Sequence, residues 1–214
     1  MLAVITCLAG IFAVLVIEEI FYKRKILQGE YLRKFVHISA GSFIAFWPWL
    51  ISWQAIQFIG ILMAIIIWLN HRLKALHVGG DISRKTYGFY FFALTVFISP
   101  FLTHNKMFFA LAMLNMALAD GLAAVIGLTY GKKYGYRVFH QLKTVVGTMT
   151  FWFVSFCILG VGLLYLHDSL SFTHYALLLI LLPPILAGLE NLGGLGLDNV
   201  IVPVAVILAL QLVV

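Results

Sequence analysis

Eight apolar stretches, each near the length that crosses a bilayer, alternate in this chain with short polar breaks, and few folds are compatible with that alternation. The stretches fall near residues 1–22, 31–51, 53–70, 86–103, 107–129, 147–166, 174–189 and 199–214. At ~1.5 Å of rise per residue, a helix needs about 20 apolar residues to span the hydrocarbon core. Only 10% of the 214 residues are charged, against ~25% in a soluble domain. The expectation is an all-α integral membrane protein. It forms one domain over residues 1–214, a compact bundle of about eight transmembrane helices, with seven the alternative count. The seventh stretch is short and carries Pro183-Pro184, which removes two backbone donors and predicts a broken or kinked helix. The first stretch has neither a basic leading region nor a small-residue cleavage pattern, and reads as a retained helix. Cys7 and Cys157 lie inside apolar stretches and read as core residues, not as a disulfide or metal pair.

Charge orients the bundle. Every Lys and Arg except Lys106 falls on one side of this arrangement. The positive-inside rule places that side in the cytoplasm and both termini outside. It also accounts for the net charge of +6 without a nucleic-acid partner. Trp47, Trp49 and Trp53 then fall at the outer turn, where an aromatic belt belongs. The carboxylates carry separate information. All of the eight acidic residues except Asp168 map to the basic side or to the halves of spans nearest it. Insertion does not require them there, and an Asp at a helix centre costs ~2.5–3.5 kcal/mol.

Four islands could carry chemistry. In the second span Glu30, Arg33, Lys34, His37 and Gly41 share one helical face. Interfacial snorkelling suffices for Arg33 and Lys34 but not for His37. In the fifth span Ala119, Ala123, Gly127 and Gly131 form a small-residue stripe suited to close helix packing. Packing leaves Asp120 unexplained, since a carboxylate inside the membrane needs a cation, a donor or water. The run from Gly127 through Gly131 and Lys132 to Lys133 is one residue short of a Walker loop and follows a helix, not a strand. Next, Lys143-Thr144 and Gly147 sit at the start of the sixth span, where a lysine, a hydroxyl and a helix N-terminus can cradle phosphate. Arg84-Lys85-Thr86-Tyr87-Gly88 leads similarly into the fourth span. Finally, the glycine-rich turn between Glu190 and Asp198-Asn199 offers hard oxygen ligands of the kind that Mg²⁺ takes beside substrate phosphates. The histidines show no zinc spacing.

In order, these islands resemble the CTP-dependent polyprenol kinase family, which includes dolichol, phytol and farnesol kinases. The matching pieces are Arg33-Lys34 with His37, Tyr87-Gly88, Asp120 with Gly127 and Gly131, Lys143-Thr144 with Gly147, and Asp198-Asn199 with Pro203. The resemblance implies a membrane kinase that moves the terminal phosphoryl group of CTP to a lipid hydroxyl. It implies catalytic roles for His37, Asp120 and Lys143, and a Mg²⁺ site of Asp120, Glu190 and Asp198. Nucleotide contacts would come from Lys34, Lys85, Gly127, Gly131, Lys132, Lys143, Thr144, Gly147 and Asn199. The stretch from Asp120 to Thr148 is also similar to CDP-diacylglycerol synthases, which transfer a cytidylyl group. Those enzymes usually carry an acidic residue where Val146 stands, and many polyprenol kinases do too. The Asp198-Asn199 ending favours the kinase. A small transporter is the third alternative, but it would often show broken helices in both halves of the chain.

Overall fold

The computed structural model describes residues 1–73, 86–139, 141–166 and 170–213. Among these, eight helices run in chain order: α1 (Leu2–Lys23), α2 (Gly29–Ala45), α3 (Trp53–Leu73), α4 (Gly88–Leu102), α5 (Lys106–Tyr130), α6 (Val145–Leu164), α7 (Phe172–Leu192) and α8 (Asp198–Val213). Each apolar stretch has become one helix, as hydropathy predicts, and the chain is a multi-pass membrane protein. α5 is about two-thirds buried and forms the axis of the bundle. The other long helices turn much of their Leu, Ile and Phe surface outward, as lipid-facing helices do.

Three local expectations are corrected. α7 runs unbroken through Pro183 and Pro184 and is a full 21 residues long. A helical φ suits proline, so the loss there is two hydrogen bonds and not the helix. Trp47 is fully buried, edge-on to Phe43 with ring centroids 6.1 Å apart, and belongs to the core; Trp49 stays exposed. Cys7 is a core residue as expected, whereas Cys157 is exposed on the outer surface of α6; both are free thiols.

Two features were not legible. A two-stranded antiparallel hairpin, β1 (Gly135–Val138) with β2 (Gln141–Thr144), joins α5 to α6 and pairs Tyr136 with Lys143. Within α5, residues Asn115–Ala119 form a π segment immediately before Asp120. Such bulges insert one extra residue into a helical turn and are frequent at functional sites.

Candidate active site

The site grows from the contact of α2 with α5. The shared face of α2 forms as its spacing predicts, and it points inward. Arg33 Nε donates to Glu30 Oε2 at 2.5 Å, and Lys34 Nζ lies 2.5 Å from Asp120 Oδ2. Arg33 and Lys34 are both buried, so snorkelling does not describe them. Each long side chain folds back to a carboxylate that would otherwise be an isolated charge in a low-dielectric interior. His37 Nε2 donates to the Met116 carbonyl at 2.8 Å and lies 3.2 Å from Asp120 Oδ2. Met116 sits in the π segment, where the changed hydrogen-bond pattern offers its carbonyl to a neighbour. One irregular turn thus presents both Asp120 and the group that orients His37.

The hairpin supplies the second wall. Lys143, at the end of β2, reaches the Glu190 carboxylate on α7 and also the Glu190 carbonyl, at 3.3 Å. Burial disfavours its ammonium, but Glu190 more than offsets that and holds the Lys143 pKa above the usual lysine value. Thr144 is the N-cap of α6, its hydroxyl accepting from Gly147 N–H at 3.0 Å. The glycines expected to permit close packing do so here. A Cβ on Gly131 would stand 2.5 Å from Thr144 Oγ1, and one on Gly127 would stand 2.7 Å from the same atom. Tyr136 donates to Asn191 Oδ1 at 2.8 Å and also contacts Thr148, tying the hairpin to α6 and α7. This trio was missed because a lone Tyr, Thr and Asn on three segments leave no spacing signal.

The third wall is the turn from α7 to α8. Leu195 (φ 58°) and Gly196 (φ 96°) adopt the left-handed region, and a Cβ on Gly196 would meet Gly88 Cα at 2.6 Å. The turn therefore lies directly on the start of α4. Tyr87 N–H donates to the Leu195 carbonyl at 3.0 Å, and Asn199 Nδ2 to the Gly88 carbonyl at 2.8 Å. Asp198, fixed by this docking, opens α8 and forms no ion pair with a described residue; its Oδ1 accepts from Asn199 N–H at 3.1 Å.

Together these walls enclose a cavity of about 500 Å³. Lys34, Asp120, Gly127, Lys143, Thr144, Gly147, Glu190, Asp198 and Asn199 line it, joined by Glu30, Arg33, Thr86 and Thr148, which sequence reasoning had not assigned. His37 stands behind Asp120, and Gly131 behind Thr144. Lys132 is exposed outside the cavity, and Lys85 lies outside the described residues. One ligand oxygen from each of Asp120, Glu190 and Asp198 falls within 4.8 Å of the other two. Three carboxylates this close repel one another, and a hard divalent cation fits that donor set.

Fold and site together define a class: a polytopic helical membrane protein with a single-ended chamber of carboxylates and buried cations. The chain is 34% identical over 197 residues to the phytol kinase of Synechocystis sp., an alignment covering 89% of this chain and 82% of that one. It belongs to the phytol and polyprenol kinase family. No family model matches the chain, and no solved structure does.

Proposed function

We propose that the protein transfers the terminal phosphoryl group of CTP to the hydroxyl of a membrane isoprenoid alcohol. The carrying observation is the convergence of Lys34, Lys143 and three carboxylates in one cavity, in a chain similar to a phytol kinase. Phosphoryl transfer asks a protein mainly for positioning and charge compensation, and these residue types supply both. Lys143, beside the N-terminus of α6, binds a phosphate of the nucleotide, and the unpaired N–H groups of that first turn add to the attraction. Lys34, held by Asp120, stands ready to share its charge with the transferring group. Asp120, Glu190 and Asp198 would hold Mg²⁺, which when bound neutralises phosphate charge and aligns the nucleotide. His37, oriented by Met116 and Asp120, receives the alcohol's hydroxyl. The cavity end of the bundle faces the cytosol, in keeping with its basic residues.

The test is purified protein with Mg²⁺ and a panel of lipid alcohols, using CTP or ATP labelled at the γ or the α phosphorus. The expected product is a lipid monophosphate labelled from γ-labelled CTP. Transfer of the α label would establish a cytidylyltransferase, and no lipid labelling from either would reject both chemistries.

A further inference from the structure

A second cavity, of about 230 Å³, lies next to the first and is lined by no carboxylate, lysine or arginine. Leu15 of α1, His37 of α2, Met63 and Ile67 of α3, and Phe92 of α4 line it, with Thr86 at its edge. α1 packs against α2, and α3 against α4; the space opens between these two pairs. Ile66, on its rim, is 46% exposed on the outward surface of α3, so the cavity communicates with the lipid side of the bundle.

Two residues connect the chambers. Thr86 lines both. His37 lines only the apolar one, yet its Nε2 faces Asp120 Oδ2 at 3.2 Å, and Asp120 lines only the polar one. Met116 O and Asp120 Oδ2 are both acceptors, so Nε2 carries the hydrogen. In the neutral ring the remaining nitrogen accepts a hydrogen bond, and an alcohol hydroxyl has one to give.

The geometry points to this apolar cavity as the subsite for the acceptor's hydrocarbon chain, with the hydroxyl hydrogen-bonded to His37 beside Thr86. This rests on the kinase reading for what happens to the hydroxyl. The occupant is a linear or methyl-branched isoprenoid alcohol that slides in laterally from the bilayer. Its chain never crosses water, while the nucleotide arrives from the opposite, polar side. Most of the wall is apolar; its polar side chains are His37 and Thr86, which face the neighbouring chamber's residues, and Asn70, His71 and Tyr90. None of them carries a fixed charge, which suits one hydroxyl on a long hydrocarbon and not a zwitterionic headgroup.

Leu15→Trp and Ile67→Trp narrow the cavity from opposite walls at positions that are only partly buried. Val16→Trp adds the same bulk to the exposed side of α1 and serves as control. With the two groove variants, KM for a long-chain isoprenoid alcohol should rise about tenfold or more. KM for the nucleotide and for a short prenyl alcohol should stay near wild type. A long-chain alcohol carrying a tail diazirine should crosslink to α1 and α3 in wild type and in Val16→Trp, and lose that crosslink in Leu15→Trp and Ile67→Trp. Unchanged long-chain KM in both groove variants, or crosslinks elsewhere in the bundle, overturns the subsite. Crosslinking reads binding without turnover. Wild-type protein that labels in the groove but phosphorylates no alcohol would sink the kinase reading while sustaining the subsite.

Discussion

Lys34 on α2 and Asp120 on α5 are 86 positions apart in the chain and meet at 2.5 Å inside the bundle. Each makes the other tolerable: an ammonium and a carboxylate at that depth are costly alone. Lys34→Met should therefore destabilise the protein by about 3–5 kcal/mol, the range seen when one partner of a buried pair is removed. The double variant Lys34→Met/Asp120→Leu should unfold at a higher temperature in detergent than Lys34→Met alone. Melting losses that simply add would show that the two residues do not act as a pair.

The nucleotide clamp is tested at Lys143. Lys143→Ala should raise KM for the nucleotide about tenfold or more, a loss of roughly 1.4 kcal/mol in binding. Lys143→Arg should recover only part of it, since a planar fork replaces a point charge already fitted to Glu190. Near-normal nucleotide kinetics in the alanine variant would leave Lys143 as a structural partner of Glu190 alone.

The carboxylate trio predicts metal dependence. Asp120→Asn and Asp198→Asn keep side-chain size and remove one charge each. Asp198→Asn should insert and fold as wild type, while Asp120→Asn, which leaves Lys34 without its partner, should lower the melting temperature as well. In the folded fraction of each, turnover should fall by about a hundredfold or more, with a raised Mg²⁺ requirement. Titrating Mg²⁺ after chelation measures this directly. If both variants keep wild-type turnover at wild-type Mg²⁺ levels, the ion does not sit among these three oxygens.

Backbone contact at the hairpin is tested by glycine substitution. Gly131→Ala places a Cβ 2.5 Å from Thr144 Oγ1 and from the Gly127 carbonyl, and should cost about 1–3 kcal/mol of stability. At Gly188 a Cβ meets nothing within 4 Å, so Gly188→Ala should be neutral or slightly stabilising. Equal melting temperatures for the two variants would contradict the packing described for α5 and α6.

Orientation follows from labelling. In a background without Cys7 and Cys157, single cysteines at Lys132 and at Thr173 occupy exposed positions at opposite ends of the bundle. An impermeant thiol reagent should reach them from opposite sides of the membrane, Lys132→Cys from the cytosol. Labelling of both from one side would refute the eight-span arrangement.

The helices were legible because hydropathy acts on long stretches and lipid enforces helix on each of them. Asp120 stood out because a carboxylate in an apolar run has no role in insertion, and Glu190 and Asp198 because they flank a glycine-rich turn as hard oxygen ligands. The inward direction of Arg33 and Lys34 was not legible, because a cation near a span end has the same sequence signature whether it snorkels outward or pairs inward. Their direction depends on where Glu30 and Asp120 lie in space, which spacing along α2 does not encode. The hairpin was hidden for a related reason. Its two four-residue strands pair only with each other and are half-exposed, so they carry little apolar pattern. Trp47 was misplaced because position near a turn says nothing about which way an indole faces.

The π segment at Asn115–Ala119 also sets the rotational register of α5. One residue beyond a regular α-helical course rotates everything after it by about 100° around the axis. Phe109 and Met113, before the segment, therefore address the core, while Asp120 and Gly127, after it, address the cavity. Register along α5 is set by how many residues lie between these positions more than by which residues they are. Evolution can exchange the side chains of Met116 or Ala117 within limits of size, whereas a single-codon deletion there would turn Asp120 away from Lys34. The reading frame of the helix, in that sense, is itself part of the site.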